Sequence, residues 1–185
     1  MLLLLTGLPG SGKSHLARAL ANVLKADVLD RDAIRDAIFP ARDLDYSDEQ
    51  NELASQITYQ VARYILRRDP QRVLILDGRP FSKHAQVEEV MQLAQSVGHS
   101  LYIVYCWAPD AVVRQRLEQD IATTGNVASG RTMEKYLRIK ADFEPLQFDH
   151  FSVNTDRPID EVVQDVLTYM RQMHNGDEHR KSPAA

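Results

Sequence analysis

The strongest constraint on this chain lies at its start, MLLLLTGLPGSGKSHLARAL, where an apolar run meets a glycine-studded loop and then a helical stretch. Residues Gly7 to Ser14 fit the pattern G-x-x-x-x-G-K-[ST] without a mismatch, between a strand-like and a helix-like segment as that pattern requires. Glycines let successive backbone N–H groups turn inward on one point, and the positive end of a helix starting near Lys13 faces the same point. A tight strand-to-helix turn alone would need the glycines but not the Lys-Ser pair. Gly7, Leu8, Pro9, Gly10, Ser11 and Gly12 are therefore expected to cradle the phosphates of a nucleoside triphosphate. Lys13 then reaches the outer phosphates, and the Ser14 hydroxyl ligates Mg²⁺.

Beyond the loop, short apolar runs alternate with longer amphipathic stretches, which predicts βαβ crossovers and a parallel sheet with helices on both faces. The runs LLLLT, ADVLD, RVLILD, SLYIVYCW and HFSVNT are expected to be strands, all apolar on both faces as buried parallel strands are. Leu53, Ile57, Val61 and Tyr64 recur at helical spacing after SDEQ, a capping-box signature with Ser47 as the cap. Pro109 suits the first position of a helix in APDAVVRQRLEQD. The polar stretch IATTGNVASG that follows has no apolar period and is expected to be a lid or a plain loop. The last helix, IDEVVQDVLTYMRQM, runs into HNGDEHRKSPAA, whose charge and proline predict a disordered tail. No repeat or linker divides the chain. One domain is expected over residues 1–173, with a lid at 117–135 and the tail over 174–185. At 185 residues it buries enough surface to need no covalent staple, and the single cysteine, Cys106, belongs to an apolar run and to the core.

Lys and Arg number 22 against 26 Asp and Glu, and the net charge of −4 argues against a broad nucleic-acid footprint while leaving room for a local basic pocket. Arg63, Arg67, Arg68 and Arg72 form the most basic stretch, but they fall at a helix C-terminus, where cations complement the dipole. No basic segment precedes the four leucines, and glycine arrives too soon for a signal-peptide core or a membrane span, so a cytoplasmic location and no membrane partner are expected. Nothing in the sequence sets an oligomeric state.

Phosphate binding alone does not say where a phosphate goes. In LDRDAIRDAIF, residues Asp30, Asp32, Arg35 and Asp36 sit where the second strand gives way to a helix, at the carboxyl ends of the strands where open sheets form their crevice. Asp32 is suited to take a proton from an acceptor hydroxyl, with Arg35 on the same helix face. Asp30 and Asp77 are alternative bases, a capping or first-turn acid is the plainer role for Asp32, and a solvated surface charge the plainer one for Arg35. VLILDGRP ends the third strand in Asp77, placed to orient the water shell of Mg²⁺, although Asp-Gly is also a common turn pair. Residues 39–60 and 79–90 are expected to line the acceptor pocket, with Gly78 and Arg79 touching the acceptor. Arg42, Tyr46, Lys83 and His84 fit phosphorylated and unphosphorylated alcohols alike, and His15 has no assigned role.

In this order and spacing, GLPGSGKS, RDAIR and LILDGRP resemble the compact P-loop kinases that include phage-type polynucleotide kinase, adenylylsulfate kinase, antibiotic phosphotransferases and zeta-type toxins, over most of residues 1–170. The resemblance implies a three-layer α/β/α P-loop NTPase fold, with a five-stranded parallel sheet and a short lid. It also implies an enzyme that moves the γ-phosphate of Mg-ATP to a hydroxyl of a small molecule or nucleotide. By the Arg-Asp-x-x-Arg pattern of polynucleotide kinases it implies Asp32 as base and Arg35 as an acceptor-binding arginine, with Asp77 as the strand-end acid. Arg116 matches the arginine that opens the lid helix near the adenine or the phosphates, and NTDRPIDEVV matches the turn that touches adenine, which implicates Thr155 and Asp156. There is one departure. Polynucleotide kinases carry another lid arginine where this chain has Asp120; Arg131 is the expected substitute and Arg114 the alternative. Two further functions compete: a 5′-hydroxyl polynucleotide kinase, which the acidic balance disfavours, and a nucleotide-gated ATP-binding protein without a separate acceptor.

Overall fold

Leu2 to Leu5 form the middle of the sheet, because a strand apolar on both faces is stable only with a helical layer on each side. The computed structural model describes residues 1–124 and 132–181, with side chains to 122 and over 132–173. Its strands are β1 (Leu2–Thr6), β2 (Asp27–Asp30), β3 (Leu74–Asp77), β4 (Leu101–Trp107) and β5 (Phe151–Asn154). They pair in parallel in the order β2-β3-β1-β4-β5. Helices α1 (Lys13–Leu24), α2 (Arg31–Ile38), α3 (Asp48–Arg68), α4 (His84–Ser96), α5 (Asp110–Thr124) and α6 (Met133–Ala141) make the crossovers, and α7 (Ile159–Lys181) follows β5.

The pleat sorts the leucines. Leu3 and Leu5 join Ile75, Val104 and Val153 under α1 and α7, while Leu2 and Leu4 join Leu74, Leu76 and Ile103 under α3 and α4. Truncating any one of these leucines to alanine costs about 2–5 kcal/mol. A smaller cluster of Val113, Leu117 and Tyr136 seats α5 and α6 on Leu8 of the glycine loop. The chain leaves β1 toward β2 on one side and later crosses to β4 on the other, so the crevice opens at the carboxyl ends beside β1.

Three expectations need correction. The five strands are not all buried on both faces: β1 and β3 are, but the edge strands β2 and β5 have exposed and half-buried positions, because an edge lies beyond the full cover of its helices. Helix α3 has the expected period but turns a different face inward. Ala54, Thr58, Tyr59, Ala62 and Leu66 are buried, whereas Leu53, Val61 and Tyr64 are exposed, Tyr64 by 62%. Tyr59, Ala62 and Leu66 of that face pack into the cluster with Leu2, Leu4, Leu74 and Leu76. Pro109 stands just before α5 rather than in it, its carbonyl accepting from the amides of Val112 and Val113.

Ser47 does cap α3, its hydroxyl accepting from the Gln50 amide at 3.3 Å; the Gln50 side chain reaches past the cap to the amides of Asp45 and Tyr46. Cys106 is fully buried, and burial pushes its thiol up to about 12, which makes it an inert core group. Of the expected lid, residues 125–131 lie outside the described residues. Helix α7 runs to Lys181, into the stretch assigned to the tail, and residues 182–185 lie outside the described ones. No helix among the described residues is long and apolar enough to cross a membrane.

Candidate active site

The glycine loop joins β1 to α1 through residues with φ of 136° at Gly7, 74° at Gly10 and 85° at Gly12. A Cβ on Gly7 would stand 2.1 Å from the Cys106 carbonyl oxygen, and one on Gly12 would stand 3.0 Å from Thr155 Oγ1, so the loop lies flush against β4 and the turn after β5. No side chain caps α1 at Gly12, the arrangement that suits a phosphate at a helix N-terminus. Lys13 is buried, and its ammonium arches over the loop to donate to the carbonyls of Gly7 at 2.7 Å and Leu8 at 2.8 Å.

Arg116 and Thr155 clamp the loop from the outside. Arg116 Nη1 donates to Thr155 Oγ1 at 3.0 Å and Nη2 to the Thr155 carbonyl at 2.9 Å, while Thr155 Oγ1 donates to the Ser11 carbonyl at 2.8 Å. Both residues line the cleft above the loop, whereas Asp156 is exposed and lies off it.

Across the crevice the ends of β2 and β3 bring Asp30 and Asp77 into register. Asp30 caps α2, accepting from the amides of Asp32 at 2.9 Å and Ala33 at 3.4 Å, so the capping role belongs to it and not to Asp32. Burial first, and then the charges of Asp77 and Asp32, push the Asp30 carboxyl above its ordinary range. Asp77 is buried, and its Oδ1 has no hydrogen-bond partner. An orphaned carboxylate oxygen beside a second acid is a site for a cation, and Ser14 lines the same cleft. Among the described residues no three acidic, His or Cys side chains gather to hold a metal by themselves, which fits Mg²⁺, an ion that takes one or two protein ligands and keeps waters and phosphates. Gly78, with φ of 86°, lets α2 start this close: a Cβ there would lie 2.5 Å from Asp30 Oδ1.

Asp32 lines the cleft from the first turn of α2. Its Oδ1 accepts from Arg31 Nη2 at 2.6 Å and from Arg35 Nη1 at 3.0 Å. Arg35 is no solvated surface charge: it is 5% exposed, donates to Asp36 and Asn51, and lies 4.5 Å above the Tyr46 ring. Arg79 is buried and bonded to Glu52 at 3.0 Å and to the Tyr59 hydroxyl at 3.2 Å. Lys83 lines the cleft and is tied to Glu144 and the Asp142 carbonyl, whereas Arg42, Tyr46 and His84 do not line it.

Asp120 lines the cleft, Arg114 is exposed and off it, and Arg131 lies outside the described residues. What the sequence reasoning missed is α6, which brings Lys135 and Arg138 into the cleft. The available signal was their spacing of three in MEKYLRIK, which sets both on one helix face. The cleft has a volume of about 1000 Å³, at the upper end for small-molecule sites. Ten lysines and arginines line it against six aspartates and glutamates, a wall of +4 in a chain of −4. The basic residues at the end of α3 take no part: Arg72 pairs with Asp27, and Arg68 lies over the Tyr64 ring.

Solved structures with this architecture include the Mycobacterium tuberculosis APS kinase CysC in complex with AMPPNP and APS, at 22% identity and a TM-score of 0.70 over 92% of this chain and 96% of that one. A gluconokinase from Sinorhizobium meliloti 1021 aligns at 15% identity and 0.68 over 97% of both chains. Chaetomium thermophilum Kti12 in complex with ADP-AlF3 aligns at 16% and 0.66 over 91% of this chain and 98% of that one. No curated protein matches the chain in sequence. At such identities the likeness shows the fold, which is that of the P-loop kinases. A family model described as an AAA domain matches residues 2–146, well over half of the chain, and the chain belongs to that family.

Proposed function

We propose that this protein is an ATP-dependent phosphotransferase that moves the γ-phosphoryl group of Mg-ATP to a hydroxyl of a small molecule or nucleotide. One observation carries it: the glycine loop with Lys13, the buried acid Asp77, and Asp32 with its two arginines all open on one cleft. Likeness to proteins solved with AMPPNP and with ADP-AlF3 supports a nucleotide on the loop, and likeness to an APS kinase and a gluconokinase supports a small acceptor.

In this reading Lys13 and the loop amides hold the outer phosphates, and Arg116 with Thr155 keeps the loop in shape beside the nucleotide. Ser14 and Asp77 would hold Mg²⁺. When bound, the ion draws charge from the β- and γ-phosphoryl oxygens. Arg31 and Arg35 fix Asp32 through Oδ1, and Asp32 takes the hydroxyl proton as the acceptor oxygen bonds to the γ-phosphorus and the bond to ADP breaks. Phosphoryl transfer asks little covalent chemistry of a protein, so alignment of the two substrates supplies most of the acceleration. A single domain over 1–173 and a cytoplasmic location belong to the same proposal.

Incubation with Mg-ATP and a panel of hydroxyl acceptors should give acceptor-dependent ADP. Asp32→Asn should lower turnover by about 10²–10⁴ while sparing ATP affinity, and Lys13→Ala should damage both. Full turnover in Asp32→Asn would move the base to Asp30 or Asp77, and ADP release that ignores every acceptor would overturn the phosphotransferase in favour of a nucleotide-gated protein.

A further inference from the structure

We propose that the acceptor carries an oxyanion, a phosphate ester or a carboxylate, in addition to its hydroxyl, and that this group docks on Lys135 and Arg138 of α6 across from Asp32. The assignment of the docked molecule as acceptor rests on the kinase reading; the anion subsite itself does not.

Two facts about α6 carry the inference. Lys135 and Arg138 both line the cleft, and neither side chain has a hydrogen bond or ion pair with any described residue. Lys135 is moreover half-buried beside Asp32 and three arginines. Burial foremost pulls its ammonium below the ordinary lysine range; Asp32, the largest single charge acting on it, pulls the other way, and Arg31, Arg35 and Arg138 add to the lowering. Arg31 and Arg35 are already engaged by Asp32, and Arg35 also by Asp36. Of the cations around Asp32, the two on α6 are the ones with no hydrogen bond or ion pair among the described residues.

A neutral alcohol does nothing for such a surplus. An anion answers it, because charge-assisted hydrogen bonds are about twice as strong as neutral ones. The nucleotide's phosphates have donors of their own in the glycine loop and Lys13, which Arg116 and Thr155 hold in shape. Lys135 and Arg138 instead share their surroundings with Asp32, the group that faces the acceptor hydroxyl. Hydroxyl and oxyanion thus belong to one small molecule held between α2 and α6.

Calorimetry on the full chain tests this. With the loop blocked by saturating Mg-AMPPNP, inorganic phosphate, sulfate and acetate are titrated at constant ionic strength. Saturable binding at one further site is expected. Lys135→Gln and Arg138→Gln should each weaken it about tenfold or more, and Lys135→Arg should restore it, while AMPPNP affinity, which also reports folding, stays within twofold. Binding of phosphate and sulfate with acetate silent assigns a phosphate or sulfate ester; binding of acetate as well assigns a carboxylate. No saturable anion site on the loaded protein, or one that both glutamine variants leave intact, overturns the inference. Failure of AMPPNP to bind overturns the kinase reading instead, and the same titrations into Lys13→Ala protein then decide the anion site by its dependence on Lys135 and Arg138.

Discussion

Asp30 ties the start of α2 to the site, and its two jobs pull in opposite directions. As a cap it accepts from the amides of Asp32 and Ala33, yet burial and the charges of Asp77 and Asp32 hold its carboxyl above the usual range. A raised folded pKa means that the folded state binds the proton more tightly than the unfolded chain. Its contribution to stability is therefore fully present below the ordinary carboxylate pKa and is lost as pH rises through the raised value. Asparagine caps as well as aspartate and carries no charge. Asp30→Asn should melt at the same or a higher temperature than the parent at pH 7, with the gap closing as pH falls, whereas Asp30→Ala should lose about 1 kcal/mol. A thermal melt series across pH checks both, and a parent clearly more stable than Asp30→Asn at pH 7 would contradict the account. The acids at these strand ends were visible in the sequence, but which one caps and which faces the cleft was not, because the division depends on the close approach at Gly78.

Among elements, the grip of α5 and the β5–α7 turn on the glycine loop is the contact that shapes the nucleotide wall. Thr155 Oγ1 bonds to the Ser11 carbonyl and accepts from Arg116, at 2.8 and 3.0 Å. Thr155→Val keeps the volume and leaves the partners unsatisfied. It should cost about 1–3 kcal/mol in urea denaturation and weaken AMPPNP binding; no change in either would mean that the loop holds its shape without the clamp. Element identity was legible where period and capping are local: all five strands and the start of α3 at Ser47 stand where the sequence predicts them. Which face of α3 turns inward was not legible. The apolar series Leu53, Val61 and Tyr64 had the stronger pattern, yet the buried face carries Ala54, Thr58, Tyr59, Ala62 and Leu66, which depends on how the whole helix packs.

For the molecule as a whole, a cleft of +4 in a chain of −4 means that folding gathers cations which a polyanion then relieves. A nucleotide bound only by the folded state stabilises it by mass action. Mg-AMPPNP at a hundred times its dissociation constant should add about 2.7 kcal/mol, or about 5–10 °C in Tm, and Lys13→Ala should abolish the shift. A melting temperature indifferent to Mg-AMPPNP would remove the basis of the nucleotide site. Local sequence by itself determined the glycine loop, the alternation of strands and helices, and the acid at the tip of β3, because each depends on residues adjacent along the chain. Tertiary structure alone decided that α6 lends Lys135 and Arg138 to a cleft begun at Pro9, and that Arg116 reaches Thr155. Those neighbours are made by parallel crossovers, and a charge or hydrogen bond acts through space whatever the distance along the chain.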